Sequence, residues 1–352
     1  MKRFLPSALA LISAASLAPA VQAQSSVTFY GLIDVGLEQL TKVGPADISV
    51  TRVTSGNMSG SRWGMRVKED LGGGLSVVGN LESGFDADTG ASGQGGRLFG
   101  RVATVGLQGS LGTLVIGRDA ILLNQFVFPY DPMAYALYSL ASVDTKFFGR
   151  TDNTIKYTSP NLSGFTLAGL YTTGAEVAGN AKVGREYSVA VNYSAGPIGG
   201  LVVYDRTNAT AVAAANGGDN EQRIVVAGSY KLQSTKLFLG MQDFKADVSG
   251  TAGVRSRQYW GGITYDMSSA LKLTAALYHN DIKNTKADPT LLVLGADYFL
   301  SKRTDVYLNF AHAKNRRDGA VASALGVTAG AGQSPAPGSS QSGVVVGIRH
   351  RF

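Results

Sequence analysis

The sequence predicts an all-β fold, a 16-stranded antiparallel transmembrane β-barrel with a long third loop folded into the lumen. Three observations lead there. The chain of 352 residues is 44% hydrophobic and only 16% charged, where an average soluble domain is about 25% charged, and beyond residue 23 it offers no run of about 18 apolar residues from which a helical span could be built. Segments of about ten residues instead alternate apolar and polar side chains, as strands do when one face meets lipid and the other water. One connection, residues 118–152, is too apolar to be left in water and needs a cavity to fold into.

The N-terminus stands apart from this pattern. Lys2 and Arg3 precede an apolar run at 4–12 and the small-residue ending Val21, Gln22, Ala23, so residues 1–23 read as a secretory signal peptide cleaved after Ala23. A membrane anchor fits less well, because the run is short and diluted by Ser, Pro and Ala. Loss of this segment lowers the formal charge from +7 to +5, since it holds two basic and no acidic residues. The remaining basic residues are scattered among acidic ones, which excludes a nucleic-acid stripe. With no Cys in an exported chain, disulfides, thiolate chemistry and Cys-bound metal are excluded too.

Residues 24–352 are then read as one barrel domain. In the first segment Val27, Phe29, Gly31, Ile33, Val35 and Leu37 share one face, and Thr28, Tyr30, Asp34 and Glu38 the other. A polar span at 39–60 reads as an external loop. Next, Trp63, Met65 and Val67 oppose Arg62, Arg66 and Lys68. A tight turn at 71–74 reverses the chain, and Leu75, Val77, Gly79, Leu81, Ser83 and Phe85 oppose Ser76, Asn80 and Glu82. Short turns recur at 109–112, 160–164, 195–199, 232–234, 268–270 and 301–303. Longer loops fall near 87–96, 175–184, 208–221, 246–256, 282–289 and 314–341. Sixteen segments, seven short turns and eight long loops result, which leaves both chain ends on the short-turn side. A soluble β-sandwich would not need that alternation of turn lengths. Nor would it need aromatic residues at outward strand ends, such as Phe29, Tyr187, Tyr193, Tyr259, Tyr265 and Tyr298. In the last strand Val344, Val346, Ile348 and Phe352 share a face, and pairing this strand with the first would leave no edge.

The connection at 118–152 far exceeds the 2–5 residues of an ordinary hairpin. It carries Leu122, Leu123, Phe126, Val127, Phe128, Tyr130, Met133, Tyr135, Leu137, Tyr138, Leu140, Phe147 and Phe148. Its apolar side is expected on the inner barrel wall, with Asp119, Asp131 and the return at Arg150 reaching the water path. A narrow passage of that kind selects ions by fixed charges facing one another. Alternation places Arg62, Arg66 and Glu82 in the lumen.

Other chemistries find little support. The only histidines, His279, His312 and His350, lie at or near three different strand ends and suit the membrane interface better than a catalytic triad. No HExxH-like spacing or dedicated calcium loop offers a metal site, and no cofactor is expected. Gly93, Gln94, Gly95 and Gly96 form a flexible loop without the Lys-Ser/Thr of a phosphate cradle. A plugged, adhesive barrel would match the same strands but give no conductance.

The segments SSVTFYGLIDVGLE at 25–38, SRWGMRVKEDLGGGL at 61–75, GTLVIGRD at 112–119 and GVVVGIRHRF at 343–352 resemble the general porins of beta-proteobacteria and Neisseria. That resemblance implies an outer-membrane homotrimer, in contact with lipopolysaccharide, that passes small hydrophilic solutes by diffusion. It implies that Phe352 is the signal read by the barrel-assembly machinery, and that the third long loop, about 119–151 here, folds into the pore. By resemblance to the anion-selective members, Arg62, Arg101 and Arg150 fall where a constriction cluster sits, with Glu82 and Asp119 nearby. Arg101 shares its parity with Ala103, Val105 and Leu107, so either a bulge shifts the face within this strand or Arg101 does not belong to the cluster. Three guanidiniums against fewer carboxylates would favour anions. A substrate-specific channel for small organic anions is the alternative, given the aromatic content of the loop.

Overall fold

Alternation governs the barrel wall. In β1 (Ser26–Val43) Val27, Phe29, Ile33 and Leu37 are exposed on the outer face, while Asp34, Glu38 and Leu40 are buried toward the interior, as successive side chains on a pleated strand must be. The computed structural model describes residues 25–328 and 332–352, so the segment read as a signal peptide lies outside the described residues. β2 comes in two pieces, Ile48–Ser55 and Arg62–Gly72. Both pair with β1, the first from Val35↔Ser55 upward and the second from Leu32↔Arg62 downward.

The wall continues through β3 (Leu75–Gly84), β4 (Val102–Gly109), β5 (Gly112–Ala120), β6 (Arg150–Thr158), β7 (Phe165–Thr172) and β8 (Glu186–Ala195). It is completed by β9 (Ile198–Asn208), β10 (Asn220–Leu232), β11 (Thr235–Asp247), β12 (Val254–Asp266), β13 (Leu271–Ile282), β14 (Thr290–Phe299), β15 (Thr304–Lys314) and β16 (Gln341–Arg351). Each strand pairs antiparallel with the next, and β16 pairs with β1 from Leu32↔Arg351 to Leu40↔Gly343, which closes the barrel. With the two pieces of β2 taken together, sixteen strands among the described residues make a wall with no free edge. Phe352 extends the seam by exchanging backbone hydrogen bonds with Gly31, at 3.0 and 3.1 Å. Its ring lies over Gly31, where any Cβ would collide with it.

The seven short turns fall where the sequence places them. The span 39–60 differs. β1 runs on to Val43, the chain reverses over residues 44–47, and Ile48–Ser55 is strand again. This hairpin is polar: Glu38 lies across the ladder from Arg52 and accepts its Nε–H at 2.7 Å. On the outward face of this piece Val53 is followed by Thr51 and Ser49, too polar a run for composition to read as a membrane strand.

The third long loop holds α1 (Leu122–Val127), a 3₁₀ turn at Phe128–Tyr130, α2 (Leu140–Val143) and a second 3₁₀ turn at Thr145–Phe148. Ile121, Leu122, Leu123, Val127, Leu140 and Phe147 are fully buried in one cluster with Val203, Val225, Leu291, Val293 and Val345, which are inward-facing wall residues. Each such side chain contributes about 1.5–3 kcal/mol relative to exposure. The last long loop adds Val327 to this cluster and reaches the first hairpin, where Gly44 donates to the carbonyl of Ser334 at 3.0 Å.

Candidate functional site

The third loop crosses the lumen and is fastened to the far wall. The Tyr130 hydroxyl donates to Asn192 Oδ1 at 2.7 Å and to the Gly200 carbonyl at 3.1 Å, and Trp260 Nε1 donates to the Tyr130 carbonyl at 3.0 Å. Lys146 Nζ reaches Glu186 and Thr207, both at 2.8 Å. Asp144 accepts from Arg223 Nε at 2.8 Å and from Gln242 Nε2 at 3.0 Å. Burial opposes ionisation of Asp144, yet the Arg223 guanidinium beside it holds the carboxyl below the usual range. On the near side Tyr138 donates to Glu38 at 2.9 Å.

A second element reaches inward from the wall. Between its two pieces β2 leaves the ladder at residues 56–61, beginning at Gly56 with φ of 75°. The fully buried carboxylate of Asp34 accepts the backbone N–H groups of Met58 and Ser59, each at 2.7 Å, and the Tyr307 hydroxyl at 2.6 Å. Asn57, also fully buried, donates to the Tyr307 hydroxyl at 2.9 Å, and its carbonyl accepts the N–H of Leu137 from the loop. The strand break and the loop are thus tied together.

What remains open lies between them. A cavity of about 470 Å³ is lined by Arg62, Arg101, Arg150 and the strand break on one side and by Asn124, Phe128, Ala134, Tyr135 and Phe148 of the loop on the other. Glu82 stands behind the arginines: Arg101 Nε lies 2.6 Å from it, Arg62 Nε 3.7 Å, and the Tyr30 hydroxyl donates to it at 2.9 Å. A neighbouring cavity of about 420 Å³ shares Gln94, Phe148 and Arg150 and adds Arg97 and Arg118. These last two converge on Asp152, at 2.8 and 2.6 Å. Five guanidiniums therefore surround the passage against Glu82, Asp86 and Asp152. Arg150 Nε is buried with no hydrogen-bond partner among the described residues. In such confinement unit charges 4 Å apart interact by about 4 kcal/mol, against about 1 kcal/mol in bulk water.

A closed barrel narrowed by an inward loop and a basic passage fits one family whose profile matches the chain: that of the Gram-negative porins covers residues 8–318. The chain belongs to the Gram-negative porin family. It is 33% identical to outer membrane porin protein 32 of Delftia acidovorans, over 98% of both chains, and 32% identical to an outer membrane porin protein of Bordetella pertussis, over the whole of both. Among solved structures, an anion-selective porin from Comamonas acidovorans superposes with a TM-score of 0.84 at 27% identity, covering 94% of this chain and all of that one. OmpT of Vibrio cholerae, at 16% identity and a TM-score of 0.69, shares the fold.

In this outer-membrane porin, Arg62, Arg101, Arg150 and Glu82 come together. The parity difficulty at Arg101 disappears because β4 begins at Val102, so Arg101 precedes the ladder and turns toward Glu82. The bulge sits one strand later, between Gly117 and Asp119, where φ of Gly117 is 134°. Three expected constriction residues stand elsewhere. Asp131 does not reach the water path: it is 2% exposed and accepts from the N–H groups of Met133 and Tyr135 and from the Tyr278 hydroxyl. The loop's own amides satisfy it, and burial pushes its carboxyl up to about 6. Asp119 pairs with Lys156 at 2.5 Å rather than with the arginine cluster. Arg66 stacks over Tyr30, 4.1 Å from the ring centroid, and with Asp119 lines a separate cavity of about 520 Å³. Sequence reasoning misses Arg97, Arg118, Asp152 and Asp34 as site residues. Arg118 and Asp152 bound the apolar stretch that marks the loop, and that is the available signal.

Proposed function

We propose that this porin lets small hydrophilic solutes and ions diffuse across the outer membrane with a preference for anions, and that Arg62, Arg101 and Arg150 form its selectivity constriction with Glu82 as counter-charge. The arginine excess around the passage carries the proposal. The name of the Comamonas relative, an anion-selective porin, supports it. On this reading residues 1–23 are removed on export, Phe352 is read by the barrel-assembly machinery, and the barrel works as a homotrimer surrounded by lipopolysaccharide. Purified protein in planar bilayers is expected to give stable conductance steps in groups of three. A membrane that stays closed after insertion would contradict the pore, and single steps would contradict the trimer.

A second reading, a channel specific for small organic anions, draws on Phe128, Tyr135 and Phe148, which face the arginines across the passage. Such a channel would show saturable, solute-dependent block of its current. A general porin would not.

A further inference from the structure

The outer surface of β11, β12 and β13 is asymmetric along the membrane normal. From the short-turn end, the outward positions run Leu237, Leu239 and Met241 on β11, Tyr265, Ile263 and Tyr259 on β12, and Leu273 and Leu277 on β13. At that end the same strands turn Lys236 and Lys272 into the lumen, where both line a cavity. Toward the long loops the outward face changes character. Asp243, Arg257 and Asp281 lie abreast on the three strands. One step further out Lys245 lies directly across from Arg255, and Lys283 donates its backbone N–H to the Arg255 carbonyl at 3.0 Å.

These three cations, Lys245 on β11, Arg255 on β12 and Lys283 just past the end of β13, span about 10 Å, two strand spacings. Like charges directly opposite are unfavourable in an isolated sheet. The nearby carboxylates offset this only in part. Arg257 pairs with Asp243 at 2.9 Å, Lys245 with Asp247 at 2.6 Å and Lys283 with Asp281, but Arg255 makes no ion pair among the described residues. Exposed pairs of this kind are weak and yield to a denser anion. The row lies where the apolar band ends, on the side of the long, external loops.

We propose that Lys245, Arg255, Arg257 and Lys283 form a seat for the phosphate groups of an outer-leaflet glycolipid, with its acyl chains lying over Leu239, Ile263 and Leu277. A single phosphodiester meets one or two of these cations, whereas a headgroup with phosphates on two sugars spans the row. The residues face away from the lumen, so the seat is independent of the proposed anion preference of the pore.

The test uses the full mature chain in detergent and native mass spectrometry. Bisphosphorylated lipid A is expected to bind at least tenfold more tightly than its phosphate-free form or phosphatidylglycerol, and the variant K245Q/R255Q/K283Q is expected to lose that advantage. Equal binding of phosphatidylglycerol and bisphosphorylated lipid A by the unaltered protein would overturn the proposal, and this arm does not depend on the variant folding. Undiminished discrimination by the folded variant would overturn it as well. In planar bilayers the variant should keep the parent's conductance and reversal potential; a shifted potential would place these cations in the ion path instead.

Discussion

Arg62, Arg101 and Arg150 differ in how they are held. Arg101 is locked onto Glu82 at 2.6 Å, Arg62 touches the same carboxylate more loosely at 3.7 Å, and Arg150 donates to the backbone carbonyl of Phe148 at 3.0 Å. One carboxylate thus orients two guanidiniums and leaves the third without a counter-ion, which is how a fixed positive field can persist beside an acid. Asp131 shows the opposite use of a carboxyl. Its ionisation is resisted by burial, with the carboxyl raised to about 6. A raised acid favours the fold when protonated, so its contribution is full below about pH 4 and is lost as pH rises through about 6. Thermal unfolding across that window should show a stability gain on acidification of about 3 kcal/mol at most, and D131N should abolish this component. The parent and D131N changing in parallel would mean that Asp131 does not titrate there. Nothing in a single sequence separates Asp131 from Asp119, because both read as acids of one long connection, although Asp119 is the penultimate residue of β5. Only packing decides that the first is capped by its own amides and the second paired with Lys156.

Two elements set the bore, and they are unequally visible in the chain. The third loop announces itself by apolar residues in a connection that should be polar. Its landing site is written there too. β9, β10 and β14 contain Leu201, Val203, Val225, Ala227, Leu291 and Val293 on their inner faces, so alternation there gives way to continuous apolar runs. A strand covered on both faces reads in that way. The interruption of β2 leaves no comparable mark, since Gly56 to Ser61 looks like any polar loop. What holds it is Asp34, whose partners lie 24 to 273 residues away in sequence. The variant D34A leaves the half-buried Met58 and Ser59 amides without their acceptor and the Tyr307 hydroxyl with only the distant Val35 carbonyl at 3.4 Å, a cost of about 2–5 kcal/mol. It should let residues 56–61 relax from the passage, raising single-channel conductance and lowering ion selectivity in planar bilayers. Unaltered conductance in a folded D34A barrel would remove the strand break from the constriction.

At the scale of the whole molecule, the strand count, the seven short turns and the closing seam follow from period-2 patterning, which needs no long-range information. Side-chain charge in the passage does need it. Arg97 and Arg118 meet at Asp152 only because a loop, a bulge and a strand start converge there. Charge is also sorted by side: Lys236 of β11 and Lys272 of β13 face the lumen at the short-turn end, whereas Lys245 of β11 and Arg255 of β12 face the lipid boundary at the long-loop end. On the proposed function, the arginine cluster beside the loop gives this outer-membrane pore its preference for anions. Zero-current potentials across a salt gradient, measured for the parent porin and for the variant R62Q/R101Q/R150Q, decide whether it does. The parent is expected to show an anion-selective potential, and the variant a potential near zero or cation-selective at similar conductance. A cation-selective parent, or a variant with the parent's potential, would contradict the account.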